Sequence, residues 1–185
     1  MGNFHLNLTV RTLNQGGIIA YPTEAVFGLG CLPEDVYSVA RILSLKGRSV
    51  RKGLILVAAS LEQLDAYVDY PDDVVRQKIS ASWPGPVTWV LPATANVPGW
   101  ITGYKDTVAV RVSAHPVVQA LCEEAGVIVS TSANPAGKTP ATNAFKIRSY
   151  FGNEIDYILS GNTGGKELPT EIRNAISGKV LRIGD

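Results

Sequence analysis

The sequence predicts one α/β domain, 1–185, with an open, twisted, mixed sheet and helices packed on it. Short apolar segments alternate with amphipathic ones along the chain, and this alternation is typical of α/β folds. The segment LILVA at 54–58 is apolar on both faces, as an interior strand between helices should be. No repeat, low-complexity run or linker divides the chain, which is long enough to bury roughly 70% of its unfolded surface.

The first part of the chain predicts two helices around a strand. Apolar residues at helical spacing, followed by a Gly-Gly pair, predict a helix over 4–15, and the apolar run GIIAY predicts a strand over 17–21. Thr23 is suited to cap a helical turn that begins at Glu24. A second helix is predicted over 33–45, because apolar residues share one face and Pro-Glu-Asp introduces it.

The middle of the chain continues this alternation after the strand 54–58. Helices are predicted over 61–68 and 74–82, and the second follows Pro-Asp-Asp, a good start signal. The rigid turn WPGP then leads into a strand over 87–91, VTWVL. The region 92–105 contains Pro and Gly among polar residues, so we expect a loop or lid there.

The last part begins with TVAVRV, whose alternation predicts a strand over 107–112. A helix over 115–125 should follow, and then a strand over 127–129 that runs into STSAN. The remaining elements are predicted as a helix over 143–151, a strand over 157–159, a helix over 170–177 and a strand over 179–182.

A basic stretch, LKGRSVRKGLILVA at 45–58, connects the second helix to the apolar strand. Lys46, Arg48, Arg51 and Lys52 lie within seven residues, and no acid occurs from 36 to 61 although the net charge is only +1. Crowded like charges repel one another, so an anion against this loop would stabilise it. A solvated basic turn is the alternative that charge alone leaves open.

Hydroxyl groups and isolated arginines occur at other strand ends. STSAN, at 130–134, offers hydroxyls and a carboxamide. These groups could donate hydrogen bonds to a phosphate or carboxylate, or they could bond to the backbone of their own turn. Arg111 lies inside an apolar strand and Arg182 lies near the end of the last one. A buried guanidinium needs an anionic partner. This partner could be the carboxylate or phosphate of a ligand, or an Asp or Glu of the protein itself. If both arginines face one cleft with the basic stretch, that cleft suits a polyanion.

Several functional classes are not supported by motifs. GxxxxGK[ST], GxSxG, HExxH and a DxD-type cluster are missing, and Cys31 and Cys122 belong to no zinc motif, so we expect no protein metal site. No apolar stretch approaches membrane-spanning length and no signal peptide opens the chain, so we expect a cytoplasmic protein with no membrane association. These residues favour a transfer reaction at a phosphorus atom, because such a reaction depends mainly on positioning and charge neutralisation.

Six segments resemble, in order, the signature blocks of the YrdC-like family. They are YPTEAVFGLG at 21–30, LKGR at 45–48 followed by KGLILV, WPGPVTWVL at 83–91, TVAVRV at 107–112, STSAN at 130–134 and a terminal VLRIGD. The resemblance covers nearly the whole chain and implies a YrdC-like sheet with a concave, basic face. It also implies a nucleotidyltransferase that makes L-threonylcarbamoyladenylate and diphosphate from L-threonine, bicarbonate or CO2, and ATP accompanied by Mg²⁺.

The same resemblance implies roles for individual residues and for partners. Lys46 and Arg48 would be catalytic and hold the triphosphate, with Lys52 beside them. Further contacts to the nucleotide are implied for Ser132, Asn134, Arg182, Thr107 and Thr142. L-threonine would contact Thr23, Arg111, Ser130 and Thr163, with Arg111 pairing its carboxylate. The product would pass to a separate tRNA threonylcarbamoyl-transferase complex for the t6A modification of tRNA.

Two other functions remain open at this point. A non-catalytic RNA-binding protein could use the same basic concavity on tRNA or other structured RNA, with steep salt dependence and no need for threonine. A net charge of +1 argues against RNA binding as the main role. Carbamoyl-phosphate chemistry, as in hydrogenase-maturation relatives of the family, is the second alternative, but those relatives carry this domain within much longer chains.

Overall fold

The computed structural model describes residues 3–166 and 170–184. Within these ranges it contains six α-helices: α1 Asn3–Asn14, α2 Val36–Lys46, α3 Asp73–Ser80, α4 Gly99–Thr102, α5 Pro116–Ala125 and α6 Ala144–Phe151. The strands are β1 Ile19–Pro22, β2 Phe27–Gly30, β3 Ile55–Ala58, β4 Val87–Pro92, β5 Thr107–Val112, β6 Ile128–Ser132, β7 Tyr157–Ile158, β8 Glu171–Asn174 and β9 Val180–Arg182. Single 3-10 turns cover Val50–Lys52 and Glu62–Leu64.

The described strands form one open, mixed sheet in the order β7-β1-β2-β6-β3-β5-β4-β8-β9. Parallel pairs are β1 with β7, β3 with β5, and β4 with β8. The other neighbours are antiparallel. The predicted α/β class and mixed sheet are therefore confirmed. Strand β3 lies in the interior of the sheet, between β6 and β5, as its apolar sequence predicts.

Both faces of the sheet are buried. On β1, Ala20 packs into one apolar cluster while its neighbours Ile19 and Tyr21 pack into the other, because successive side chains of a strand point to opposite faces. Helices α2, α3 and α6 contribute to the first cluster, whereas α1 and α5 contribute to the second. Helices thus pack on both faces of the sheet, and its strands and loops carry the polar groups described below. No helix in the described ranges is long and apolar enough to cross a lipid bilayer.

Helix α2 determines where the basic stretch begins. Asp35 caps the helix by accepting hydrogen bonds from the backbone N–H groups of Tyr37 and Ser38. Gly47 ends it in the left-handed region, with φ of 58°, and donates its N–H back to Leu43. Lys46 is thus in the last helical turn, and the chain reverses direction immediately after it.

Two predicted helical segments are wrong. Residues 171–174 form strand β8, which pairs in parallel with β4, so the expected helix over 170–177 does not exist. Pairing with the exposed edge of β4 satisfies this segment's backbone, and this tertiary gain overrides local propensity. Glu24 begins no helical turn, because the N–H and hydroxyl of Thr23 both bond to the carbonyl of Val26 and connect β1 to β2.

Two other segments differ in extent. The helix expected over 61–68 is reduced to the 3-10 turn Glu62–Leu64. The region 92–105, expected to be a loop, contains the short helix α4. Its residue Ile101 accepts the backbone N–H of Leu54 at 2.8 Å. Helix α4 therefore supports the end of the basic stretch.

The packing of α4 against the basic stretch should require a glycine at position 103. Its φ is 70°, and a Cβ there would lie 2.7 Å from the carbonyl oxygen of Arg51. We expect Gly103→Ala to lower the free energy of unfolding by about 2–3 kcal/mol, because backbone strain and a steric clash add. Gly137→Ala is the matched control, since its φ is 75° but nothing lies within 4 Å of its Cβ position. If urea unfolding showed the same loss of unfolding free energy in both variants, the contact with Arg51 would be unimportant.

Candidate active site

A cleft of about 500 Å³ opens over the middle of the sheet, beside the basic stretch. Five cationic side chains line it: Arg48, Lys52, Lys105, Arg111 and Arg182. The described lining residues include no Asp or Glu. The concave basic face expected from the sequence is therefore present, although the protein as a whole is nearly neutral.

The cleft has a floor and a rim that differ in burial. Arg111, Thr23 and Ser130 form the floor, and each is at most 7% exposed. We define the rim as the four remaining cations, which are partly or fully exposed: Arg48, Lys52, Lys105 and Arg182. Hydroxyl groups of Thr107 and Ser132 lie on the lining as well.

Among the residues that the structure describes, the rim arginines bond to carbonyl groups and pair with no carboxylate. Arg48 donates from Nη2 to the carbonyl of Gly53 at 2.9 Å, and Arg182 donates from Nε and Nη2 to the carbonyl of Thr170 at 3.1 and 2.6 Å. Burial lowers the pKa of both arginines, and repulsion from Arg111 and Arg48 lowers the pKa of Arg182 further. A bound polyanion would relieve this repulsion.

The floor arginine has an internal partner. Nη2 of Arg111 lies 3.2 Å from Oε2 of Glu24, and both side chains are more than 90% buried. The hydroxyl of Ser113 donates to the other oxygen of Glu24 at 2.6 Å. Burial alone would raise the pKa of Glu24, but Arg111 and Ser113 hold this pKa below its usual value. Of the partners that the sequence left open for Arg111, the structure contains the internal carboxylate.

Lys46 lies beneath the loop that follows β6 and does not line the cleft. It is 4% exposed, and its ammonium donates to the carbonyls of Ser132 and Asn134. The backbone N–H of Ala136 donates to the carbonyl of Lys46 at 2.7 Å. Burial, and then the neighbouring Arg48, lowers the pKa of Lys46 to about 8. In this structure the ammonium thus binds the carbonyls at the end of β6 and in the loop after it, and Lys46 lies off the cleft lining.

The other residues predicted for the site fall into two groups. The structure brings together Thr23, Arg48, Lys52, Thr107, Arg111, Ser130, Ser132 and Arg182 on the cleft lining. It leaves off the lining Lys46, Asn134, Thr142 and Thr163. The side-chain amide of Asn134 donates to the carbonyls of Pro135 and Lys138, so this residue shapes its own loop. Thr142 is exposed and precedes α6.

Sequence reasoning missed three residues of this region. Lys105 and Asn174 line the cleft, but they were assigned to a lid and to a helix. Glu24, the partner of Arg111, could have been suspected, because it is the only acid before position 34 and an arginine inside an apolar strand needs a counter-charge.

The donors present do not fit a resident metal ion. Within the described ranges there is no group of three or more His, Cys, Asp or Glu side chains that could hold one. The carboxylate of Glu24, beside the cleft floor, already pairs with Arg111. Hard divalent cations require several oxygen ligands, and the lining supplies cations and hydroxyls instead.

Comparison with known proteins places this geometry in a family. The model of the Sua5/YciO/YrdC family, described as "Telomere recombination", matches residues 11–184. The chain belongs to this family. The resemblance expected from the sequence motifs is thereby confirmed over nearly the full length.

Relatives within the Sua5/YciO/YrdC family carry informative names. The chain is 49% identical to the threonylcarbamoyl-AMP synthase of Cellvibrio japonicus, over 97% of this chain and 96% of that protein. It is 51% identical to the threonylcarbamoyl-AMP synthase of Halorhodospira halophila, over 97% of this chain and 94% of that protein.

Solved structures show the same fold. P. abyssi Sua5 complexed with L-threonine matches with a TM-score of 0.93 and 33% identity over all of this chain. This chain spans 55% of that Sua5 chain. YciO of E. coli matches with a TM-score of 0.87 and 28% identity, over all of this chain and 92% of that one.

Proposed function

We propose that this chain is an L-threonylcarbamoyladenylate synthase. It is a nucleotidyltransferase that combines L-threonine, bicarbonate or CO2, and ATP, and releases diphosphate. Relatives that are about half identical over nearly the whole chain bear the name of this synthase. The observation that carries the proposal is the division of one cleft into a rim and a buried floor. The rim cations pair with no carboxylate among residues 3–166 and 170–184, whereas the floor has a charge-paired arginine and two hydroxyls.

The rim suits the triphosphate of ATP. Arg48 and Arg182 present guanidinium groups whose hydrogen bonds go to carbonyls, so their charges remain available to phosphate oxygens. Lys52 would add a third charge, and Thr107 and Ser132 would donate hydrogen bonds to the nucleotide. Lys46 and Asn134 would serve the nucleotide indirectly, by fixing the end of β6, which carries Ser132, and the loop that follows it.

The floor suits the amino acid. Arg111 would pair with the carboxylate of L-threonine, and Thr23 and Ser130 would donate to its polar groups. Thr163 lies off the lining, but Gly164 beside it donates its N–H to the carbonyl of Thr23 at 2.9 Å. This bond ties the segment that carries Thr163 to a floor residue, and a contact of Thr163 with L-threonine stays a prediction from the resemblance. Thr142 stays a prediction from the resemblance.

The chemistry requires little beyond positioning. The neutral amine of threonine adds to CO2 and loses a proton, which gives an N-carboxylate. With bicarbonate in place of CO2, the same amine gives the N-carboxylate and water, and no net proton is released. A carboxylate oxygen then attacks the α-phosphorus of ATP, and the bond to the β-phosphate oxygen breaks with its electron pair leaving on diphosphate. Rim cations stabilise the charge that gathers on this leaving group. Because the nucleophile is already anionic, no side-chain base is needed for the displacement.

Mg²⁺ would arrive as part of the substrate. The donors within the described part of the chain do not form a metal site, so the ion would be held by the phosphates of ATP and by water. The acyl-phosphate product would pass to a separate tRNA threonylcarbamoyl-transferase complex in the cytoplasm. Contact with tRNA would use the exposed rim cations when the cleft is empty.

The test is synthesis from defined substrates. Purified protein with ATP, labelled bicarbonate and L-threonine should release diphosphate and form a labelled adenylate. Omission of threonine or bicarbonate should stop both. Diphosphate release that ignores either substrate would contradict the synthase assignment. Strong, salt-sensitive binding of RNA without any turnover would favour the RNA-binding alternative.

A further inference from the structure

The cleft is electrostatically uneven. Within residues 3–166 and 170–184, Arg111 is the one cleft-lining cation that makes an ion pair. Its partner Glu24 does not itself line the cleft. The floor therefore presents the donors of a guanidinium whose charge Glu24 offsets from behind, while the rim presents charge that no carboxylate of the described residues offsets.

Glu24 is fixed from several directions. The Ser113 hydroxyl donates to Oε1 at 2.6 Å, and the backbone N–H of His115 donates to that hydroxyl at 3.1 Å. The carbonyl of Glu24 accepts the backbone N–H of Lys166 at 3.1 Å. At 6% exposure, the carboxylate is held against Arg111 and cannot swing into the cleft to meet a substrate.

Arg111 keeps donor capacity for a ligand. Its guanidinium lines the cleft and, within the described part of the chain, contacts one carboxylate oxygen, on Glu24, whereas a guanidinium offers five N–H donors. An amino-acid carboxylate with one charge can take such donors together with the hydroxyls of Thr23 and Ser130. A phosphate group carries more charge, and burying it beside a neutral pair leaves that charge uncompensated, which is costly.

From this arrangement we infer that Glu24 is a specificity-determining residue of the floor. By cancelling the charge of Arg111, it lets the floor accept an amino-acid carboxylate and makes it reject phosphate groups. The triphosphate of ATP is thereby confined to the rim, and two anionic substrates do not compete for the same arginine. This inference rests on the proposed function, because it takes the floor as the amino-acid site.

A merely structural ion pair makes a different prediction from a selectivity device. Loss of a structural pair should weaken all ligands together or unfold the protein. Loss of a selectivity device should strengthen one ligand against another. A gain of phosphate binding at the threonine site is therefore the decisive signature.

The experiment compares wild type with Glu24→Gln, which keeps size and a hydrogen-bond acceptor for Ser113 but removes the charge. Binding of L-threonine is measured calorimetrically without ATP, with inorganic phosphate as competitor. In wild type, phosphate should hardly affect threonine binding. In Glu24→Gln, the ratio of the threonine dissociation constant to the phosphate competition constant should rise at least about tenfold, since one unit of positive charge is uncovered in a buried site.

Two further variants keep the inference testable. Asp65→Asn breaks the exposed pair between Arg76 and Asp65, 3.4 Å apart and away from the cleft lining, and should leave the ratio unchanged. Glu24→Asp withdraws the carboxylate by one methylene but retains its charge, so the ratio should rise by about threefold. This variant decides the question if Glu24→Gln does not fold.

The possible failures are distinguishable. A wild-type protein that neither binds L-threonine nor forms the adenylate would remove the proposed function. A wild-type protein that does both, with a ratio that Glu24→Gln and Glu24→Asp leave unchanged, would overturn the inference about Glu24 alone.

Discussion

Lys46→Ala should lower the free energy of unfolding by about 2–4 kcal/mol, since buried carbonyls lose a charged donor and a cavity forms. The carbonyls concerned belong to Ser132 and Asn134, so the loop after β6 should also lose its shape. Adenylate synthesis should fall to background even though Lys46 is off the cleft lining. Urea unfolding and the synthesis assay measure the two effects.

Two variants separate the causes. Lys46→Met fills most of the same space without donors, so it should recover part of the stability and none of the activity. Lys138→Ala removes an exposed lysine from the same loop and should change neither quantity. If Lys46→Ala unfolded like wild type and only raised KM for ATP, the ammonium would have to leave its carbonyls and bind the triphosphate, as the sequence motif predicts.

The central part of the fold was predictable because burial on both faces leaves a clear signature. Strand β3 and the helices α2 and α5 have strong apolar patterns and distinct ends, and the sequence predicts all three close to their observed bounds. Their signals are local: periodicity, a capping Asp and a terminal Gly.

The edge of the sheet was not predictable in the same way. In β8 every residue is partly exposed and in β9 every residue is exposed, so neither strand alternates between a buried and a solvated face. The segment 170–177 therefore looked helical, and β8 is stabilised by its pairing with β4, which is distant in sequence. Because the sequence predicts a helix there, it does not predict that Asn174 lines the cleft.

The site shows a similar division. The convergence of Arg48, Arg111 and Arg182 on one cleft could be proposed, because isolated arginines near apolar strands require anionic partners. Which partner each one has could not be deduced. That Arg111 meets Glu24 depends on the turn between β1 and β2, and that Lys46 faces away from the cleft depends on where the loop after β6 places its carbonyls.

Arg48→Ala should impair ATP binding and leave stability nearly unchanged, whereas Lys46→Ala should lower stability, although both residues belong to one motif. Arg48 is half-buried, lines the cleft and makes its hydrogen bond to the carbonyl of Gly53 in its own loop. We expect KM for ATP to rise by about 30- to 100-fold, which corresponds to a lost charge-assisted contact worth about 2–3 kcal/mol. The free energy of unfolding should change by less than about 1 kcal/mol.

Arg51→Ala is the matched control for this change. Arg51 belongs to the same basic stretch but is exposed and does not line the cleft, so its loss should leave KM for ATP within about twofold of wild type. KM for L-threonine should stay near wild type in both variants, because the floor arginine is untouched. An equal rise of KM for ATP in Arg48→Ala and Arg51→Ala would mean that the basic stretch attracts ATP only through its total charge. A rise confined to Arg48→Ala would identify a directed contact between the rim and the triphosphate.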